Sequence, residues 1–182
     1  MKRKLICAAL LLMCVMLSGC SLMREVIFSE NREAVENSVQ NELALPVAEP
    51  NASEMQRSAA VRTGEEAAQR IKDKVTYTVV ESHNAYCVVD FTAPDMQAIL
   101  SEALERLKQE GMQRSEYDDA VEATTSFIYV RLGSAGCPMV TTRVEIPLED
   151  GQPVMDIAAY DAMYGGLITA MQQLETLYGG EG

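Results

Sequence analysis

The stretch Val75-Thr-Tyr-Thr-Val-Val-Glu81, Ser82-His83-Asn84, Ala85-Tyr-Cys-Val-Val-Asp-Phe91 decides the fold. Both flanks are rich in β-branched residues and alternate in polarity. The Ser-His-Asn link supplies turn chemistry, so the stretch reads as an antiparallel hairpin. With a side-chain period of two, Ala85, Cys87, Val89 and Phe91 share one face.

A second hairpin is expected downstream. From Met139 to Leu148, Val140, Thr142, Val144, Ile146 and Leu148 alternate with Thr141, Arg143, Glu145 and Pro147. Arg143 and Glu145 fall on one face and are expected to form a surface pair. Glu149-Asp150-Gly151-Gln152 is a turn, and Pro153 to Ala158 reads as the return strand. Pro153 cannot donate to a ladder, which places it at an edge or a strand start.

Helical periodicity fills the rest. Thr92-Ala93-Pro94-Asp95 opens a helix with Pro in its first turn, followed by Met96, Ile99, Leu100, Ala103, Leu104 and Leu107 on one face. Gly111 ends it. Ser115-Glu116-Tyr117-Asp118 opens another, with Tyr117, Ala120, Val121, Thr124, Phe127 and Ile128 inward. Its β-branched end leaves a strand at Ser126–Leu132 as the alternative. The last helix is expected from Tyr160 to Tyr178, with Tyr160, Met163, Tyr164, Leu167, Met171, Leu174 and Tyr178 in one stripe. Gly165-Gly166 within it reads as permitting close packing, and Gly179-Gly180 stops it.

Upstream, Thr63-Gly64-Glu65-Glu66 has the form of a capping box, opening a helix to about Lys74 with Ala67, Ala68 and Ile71 inward. A weaker helical stretch from about Ser53 precedes it. Ser29 to Leu43 reads as an amphipathic helix with Ala34, Val35, Val39 and Leu43 on one side, broken by Pro46 and Pro50. The expected architecture is α+β: an antiparallel sheet of about four strands, made of two hairpins, packed by amphipathic helices. Tyr77, Val79, Cys87, Val89, Val144 and Ile146 would lie under Leu100, Leu104, Leu107, Leu167 and Met171.

The order Val75-Thr-Tyr, Ala85-x-Cys-x-Val-x-Phe, Pro94-Asp95, Val144-x-Ile-Pro-Leu-Glu-Asp-Gly151 and Tyr164-Gly-Gly-Leu167 resembles lipoproteins of Gram-positive bacteria. Their domain is similar to the nuclear transport factor 2-like, cystatin-like fold. Gln152-Pro153-Val154 stands where that family often carries an aromatic residue. The resemblance implies a cone-shaped sheet able to hold a pocket, and no settled activity. Candidate lining residues are Tyr77, Cys87, Val89, Met155, Met163, Tyr164 and Met171, with adaptable methionine core as the alternative.

The amino terminus gives an address. Lys2, Arg3 and Lys4 precede an apolar run from Leu5 to Leu17. A membrane span needs about 20 apolar residues, so this run reads as a secretory signal. Leu17-Ser18-Gly19-Cys20 looks like a lipobox. That resemblance implies a diacylglycerol on the Cys20 thiol and cleavage between Gly19 and Cys20. Two or more acyl chains then hold the chain stably. An ordinary signal ending in Cys and an uncleaved anchor are the alternatives. The expected organisation is a signal peptide over 1–19, a lipidated terminus with a helix and spacer over 20–52, and one α+β domain over 53–182, lipid-anchored on the extracytoplasmic face of the cell membrane.

The formal net charge is −12, and loss of Lys2, Arg3 and Lys4 with the leader makes the remainder more acidic still. That argues against nucleic acid and against a domain lying flat on anionic lipid. The chain has no Trp, so stacking platforms are scarce. Cys87 and Cys137 remain beyond the anchor as a candidate disulfide, with two separate buried thiols as the alternative. His83, the single histidine, sits in the expected turn near Cys87. One His and two Cys make a poor zinc set. Asp90, Asp95, Asp118, Asp119, Asp156 and Asp161 are candidates for acid–base work or weak calcium binding, against capping and solvated roles.

No catalytic constellation, metal set or cofactor loop stands out. The expected function is a binding domain for a small apolar molecule or an envelope protein. The alternatives are a carboxylate-based enzyme using a pocket in the sheet, and an assembly or spacer subunit of the envelope.

Overall fold

The computed structural model describes residues 27–46, 59–111 and 117–178. The leader with Cys7 and Cys14 and the lipobox with Cys20 lie outside the described residues. So do the side chains of Thr63, Tyr117, Asp118, Asp119, Ala120, Val121, Leu174 and Tyr178. The elements are α1 (27–44), α2 (Ala59–Lys72), β1 (Thr76–Ser82), β2 (Tyr86–Pro94), α3 (Met96–Gln109), α4 (Tyr117–Gly133), β3 (Met139–Glu149), β4 (Gln152–Pro153), α5 (Ile157–Met163) and α6 (Leu167–Tyr178). The fold is α+β. One antiparallel sheet runs in the order β1-β2-β3-β4, with helices against it.

Alternation along β2 builds the centre of the core. Cys87, Val89, Phe91 and Ala93 are fully buried, facing Ile99 and Leu100 of α3, Met163 of α5 and Ile71 of α2 in one cluster. Val89 stands opposite Val144 and Cys87 opposite Ile146. Between β1 and β2 the register shifts at Val79/Glu81, a bulge that bends the strand. Arg32 of α1 donates to the Val79 carbonyl at that bulge.

Helix α1 belongs to this core, so the folded unit starts well before the expected boundary at residue 53. Val35 and Val39 are fully buried. Burying a valine side chain contributes about 1.5–3 kcal/mol. Polar ties fix the helix along the first hairpin. Asn31 Nδ2 donates to the His83 carbonyl at 2.9 Å, and Ser82 Oγ donates to the Phe28 carbonyl at 2.8 Å.

Four boundaries differ from the sequence expectation. Helix α2 begins at Ala59, so Thr63 is inside the helix and not its cap. Pro94 ends β2, and Asp95 is the cap of α3, accepting from the Ala98 amide at 2.9 Å. The expected return strand Pro153–Ala158 stops at Pro153. Asp156 then caps α5 by accepting from the Ala159 amide at 2.8 Å, and the alanines that follow favour helix. The expected Tyr160–Tyr178 helix is two helices, because Gly165 (φ +64°) and Gly166 (φ +81°) take left-handed backbone that ends α5.

The alternative strand at Ser126–Leu132 is not adopted. Helix α4 packs against both α2 and α3, and Thr124 and Leu132 are buried. Two packed faces blur the single apolar stripe that would have marked it as a helix.

A candidate binding groove beside strand β3

The backbone of β3 sets the geometry. The Asp95 amide donates to the Pro138 carbonyl at 2.9 Å, and the Leu148 amide donates to the Ala85 carbonyl at 2.8 Å. Antiparallel ladders alternate bonded and non-bonded pairs. Even-numbered β3 residues therefore turn their peptide groups to β2, and odd-numbered ones turn outward. On the outer edge Glu149 pairs with Gln152, and the Pro147 carbonyl accepts the Val154 amide at 2.9 Å. There the chain leaves at the Asp156 cap. Among the described residues, the outward peptide groups of Met139, Thr141, Arg143 and Glu145 have no backbone partner.

Beside this edge lies an open groove of about 360 Å³. Half-buried Val140, Thr142 and Val144 form one wall. Ala158 and Ala162 of α5, with Gly165 and Gly166, form the other. The small residues recur at helical spacing, which is why α5 can approach the sheet and still leave space. Asp161 at the rim is held in place. Its Oδ1 accepts the Ile168 amide at 2.8 Å and the Thr169 amide at 3.1 Å, and its Oδ2 accepts the Thr169 hydroxyl at 2.7 Å.

On the opposite face of the sheet, Arg143 stands across from Asp90 in register. Its Nε and Nη2 donate to the two Asp90 oxygens at 2.6 and 2.8 Å. The hydrogen bond and the charge of Arg143 hold the Asp90 carboxyl below the ordinary range. The pairing expected between Arg143 and Glu145 is thus replaced by a cross-strand one, since side chains directly opposite lie closer than same-strand neighbours two apart.

Two of the further concavities bear on the candidate residues. One of about 370 Å³ lies between α3 and α4, lined by Ala103, Leu107, Phe127 and the exposed Val130. The other, of about 330 Å³, is bounded by Glu42, Lys72, Tyr164 and Leu167. There burial, and after it the charge of Glu42, pushes the Tyr164 phenol up to about 12. Lys72 Nζ donates to the carbonyls of Glu42 and Leu45 at 3.0 and 2.9 Å. A phenol so raised stays neutral and serves as a hydrogen-bond donor, not as a base at ordinary pH.

The candidate pocket residues do not converge. Cys87, Val89 and Met163 are solid core, Tyr77 and Met155 pack against it, and Met171 is 51% exposed. Of that set only Tyr164 lines one of the concavities described above. The helix-covered face of the sheet is filled by its own side chains together with those of α2, α3 and α5. Cys87 and Cys137 are free. Cys87 pairs with Ile146, whereas Cys137 precedes Met139, which pairs with Pro94 at the far end of β2. At about 3.3 Å per residue the two levels are roughly 20 Å apart, against an upper limit near 7 Å for a disulfide.

His83 does not meet Cys87. Its Nε2 lies 3.1 Å from a Glu81 oxygen and its ring stacks on Tyr86 at 4.5 Å, while Cys87 Sγ lies 3.4 Å from Ser82 Oγ. Asp95 and Asp156 cap helices and Asp90 pairs with Arg143. Among the described residues no cluster of His, Cys, Asp and Glu could hold a metal ion, and no helix is long and apolar enough to cross a membrane. The groove itself was missed at the sequence level, although Ala158, Ala162 and Gly165 spaced by four and three carried the signal of a small-residue helix face. No protein-family model, curated protein or solved structure matches the chain.

Proposed function

We propose that this chain is an extracytoplasmic lipoprotein, anchored through Cys20, whose domain binds a protein partner without chemistry on it. The anchor rests on Leu17-Ser18-Gly19-Cys20 behind a short basic and apolar leader. One observation carries the binding reading: the helix-covered face of the sheet is closed at its centre by Cys87, Val89, Phe91 and Ile146, while its margin between β3 and α5 stays open as the groove. The closed core leaves a small apolar ligand no room within the sheet, and an open groove along a strand edge suits an extended polypeptide. The candidate acids Asp90, Asp95, Asp156 and Asp161 are each committed to a structural bond, which disfavours the carboxylate-enzyme alternative.

Two measurements test the two halves separately. Intact mass of the chain extracted from membranes should show an amino-terminal acylated Cys20; a retained leader or an unacylated terminus removes the anchor. A photocrosslinking side chain placed at the exposed Ala158 should trap one envelope protein in cells. Equal trapping from a position on the far side of the domain would remove the groove from the reading.

A further inference from the structure

The β3–α5 groove lies beside a strand edge that the fold opens and then leaves. Continued pairing of 152–158 along β3 would have covered the edge down to Arg143. The chain covers only Pro147 to Glu149, because Asp156 starts α5. What remains is an extended row of outward peptide groups at Met139, Thr141, Arg143 and Glu145, flanked by the groove on one face. Unpaired edges of this kind are templates for another strand.

We infer that β3 is a strand-acceptor edge for an extended, basic segment of the partner protein, which adds antiparallel or parallel to Met139–Glu145. The inference rests on the protein-binding reading above and deepens it by naming the mode. Charge selects the occupant. Around the edge stand Glu145, Glu149, Asp150, Asp156 and Asp161, while Arg143 is already neutralised by Asp90. An incoming strand alternates its side chains between two faces. Those facing α5 meet Ala158, Ala162 and Gly165 and must be small or slender. Those on the other face meet Glu145 and the Asp90–Arg143 pair, where lysine or arginine is favoured. A second copy of this chain fits less well. Self-pairing centred on Thr142 avoids β4 but brings two chains of formal net charge −12 edge to edge.

The test uses the full chain in detergent micelles and an acetylated, amidated heptapeptide alternating lysine with valine and alanine. Binding should protect the amides of Thr141, Arg143 and Glu145 from hydrogen exchange. Thr141→Pro, which removes an outward amide and leaves the backbone bonds to β2, should weaken binding about tenfold, as expected for one lost backbone bond, whereas Thr141→Val, which loses only the hydroxyl contact to Thr92, should not. Of two peptides N-methylated on the odd or on the even residues, the one blocked on its pairing edge should lose binding. Equal binding by both methylated peptides, or binding without protection of those amides, would overturn strand addition. Protection that rises with protein concentration in the absence of peptide would overturn it in favour of a second copy. If the Ala158 crosslink forms in cells yet Thr141→Pro leaves it unchanged, partner binding stands and the strand-acceptor mode falls.

Discussion

Gly165 is pressed against Pro94: a side chain at Gly165 would overlap the Pro94 carbonyl oxygen, and the Gly165 carbonyl accepts the Met96 amide at 2.9 Å. The end of β2 and the break between α5 and α6 are therefore locked together at one backbone contact. The consequence is a fixed distance between β3 and α5, and with it the width of the groove.

Gly165→Ala should be among the most damaging single substitutions in the domain. It combines a backbone overlap with a left-handed φ, and a loss of about 2–4 kcal/mol is expected. Gly151→Ala is the control. Gly151 has φ +76° but open space around it, so about 1 kcal/mol is expected. Urea unfolding of both variants checks the contrast, and equal losses would contradict the contact.

The caps of the helices beside the groove can be ranked. Asp95→Ala and Asp156→Ala each remove one accepted amide and should cost about 1 kcal/mol. Asp161→Ala removes three bonds to Ile168 and Thr169 and should cost about 2 kcal/mol. Thermal unfolding gives the order.

Asp90 should titrate below the ordinary carboxylate range of about 4. Its carboxyl is depressed by the hydrogen bond and charge of Arg143, so its contribution to stability is present above the ordinary carboxylate pKa. That contribution is lost as pH falls through the lowered value. Carbon-detected NMR titration of the wild type and of Arg143→Ala should show Asp90 moving up in the variant. An unchanged titration would break the pair.

Tyr164 should ionise near 12, held up first by burial and then by Glu42. The sign is that of a raised acid. Its stabilisation is complete below the unfolded tyrosine value of about 10 and fades as pH rises toward the folded one. Absorbance of tyrosinate should show a late component that Tyr164→Phe diminishes, with Tyr160, also raised by burial and by Glu42, contributing the rest.

Cys87 and Cys137 should both be found as thiols in the folded chain. Pulse alkylation and peptide mapping should label the half-buried Cys137 first and the fully buried Cys87 only on unfolding. A Cys87–Cys137 crosslinked peptide would contradict the register of β2 and β3.

Sequence alone determined the parts of this protein whose signals are local. The two-residue period of Cys87, Val89 and Phe91, the same period from Val140 to Leu148, and the helical stripe from Met96 to Leu107 each name the side turned toward the core. These are statements about neighbours along the chain, and burial rewards them wherever the segment packs. Only the tertiary structure decided that Val35 and Val39 complete the core, that Arg143 faces Asp90, and that β4 ends at Pro153. Those outcomes depend on competition between remote partners. The residues 153–158 carry an acceptable strand pattern, but Asp156 caps a helix whose alanines fit the sheet, and that packing left the edge of β3 open.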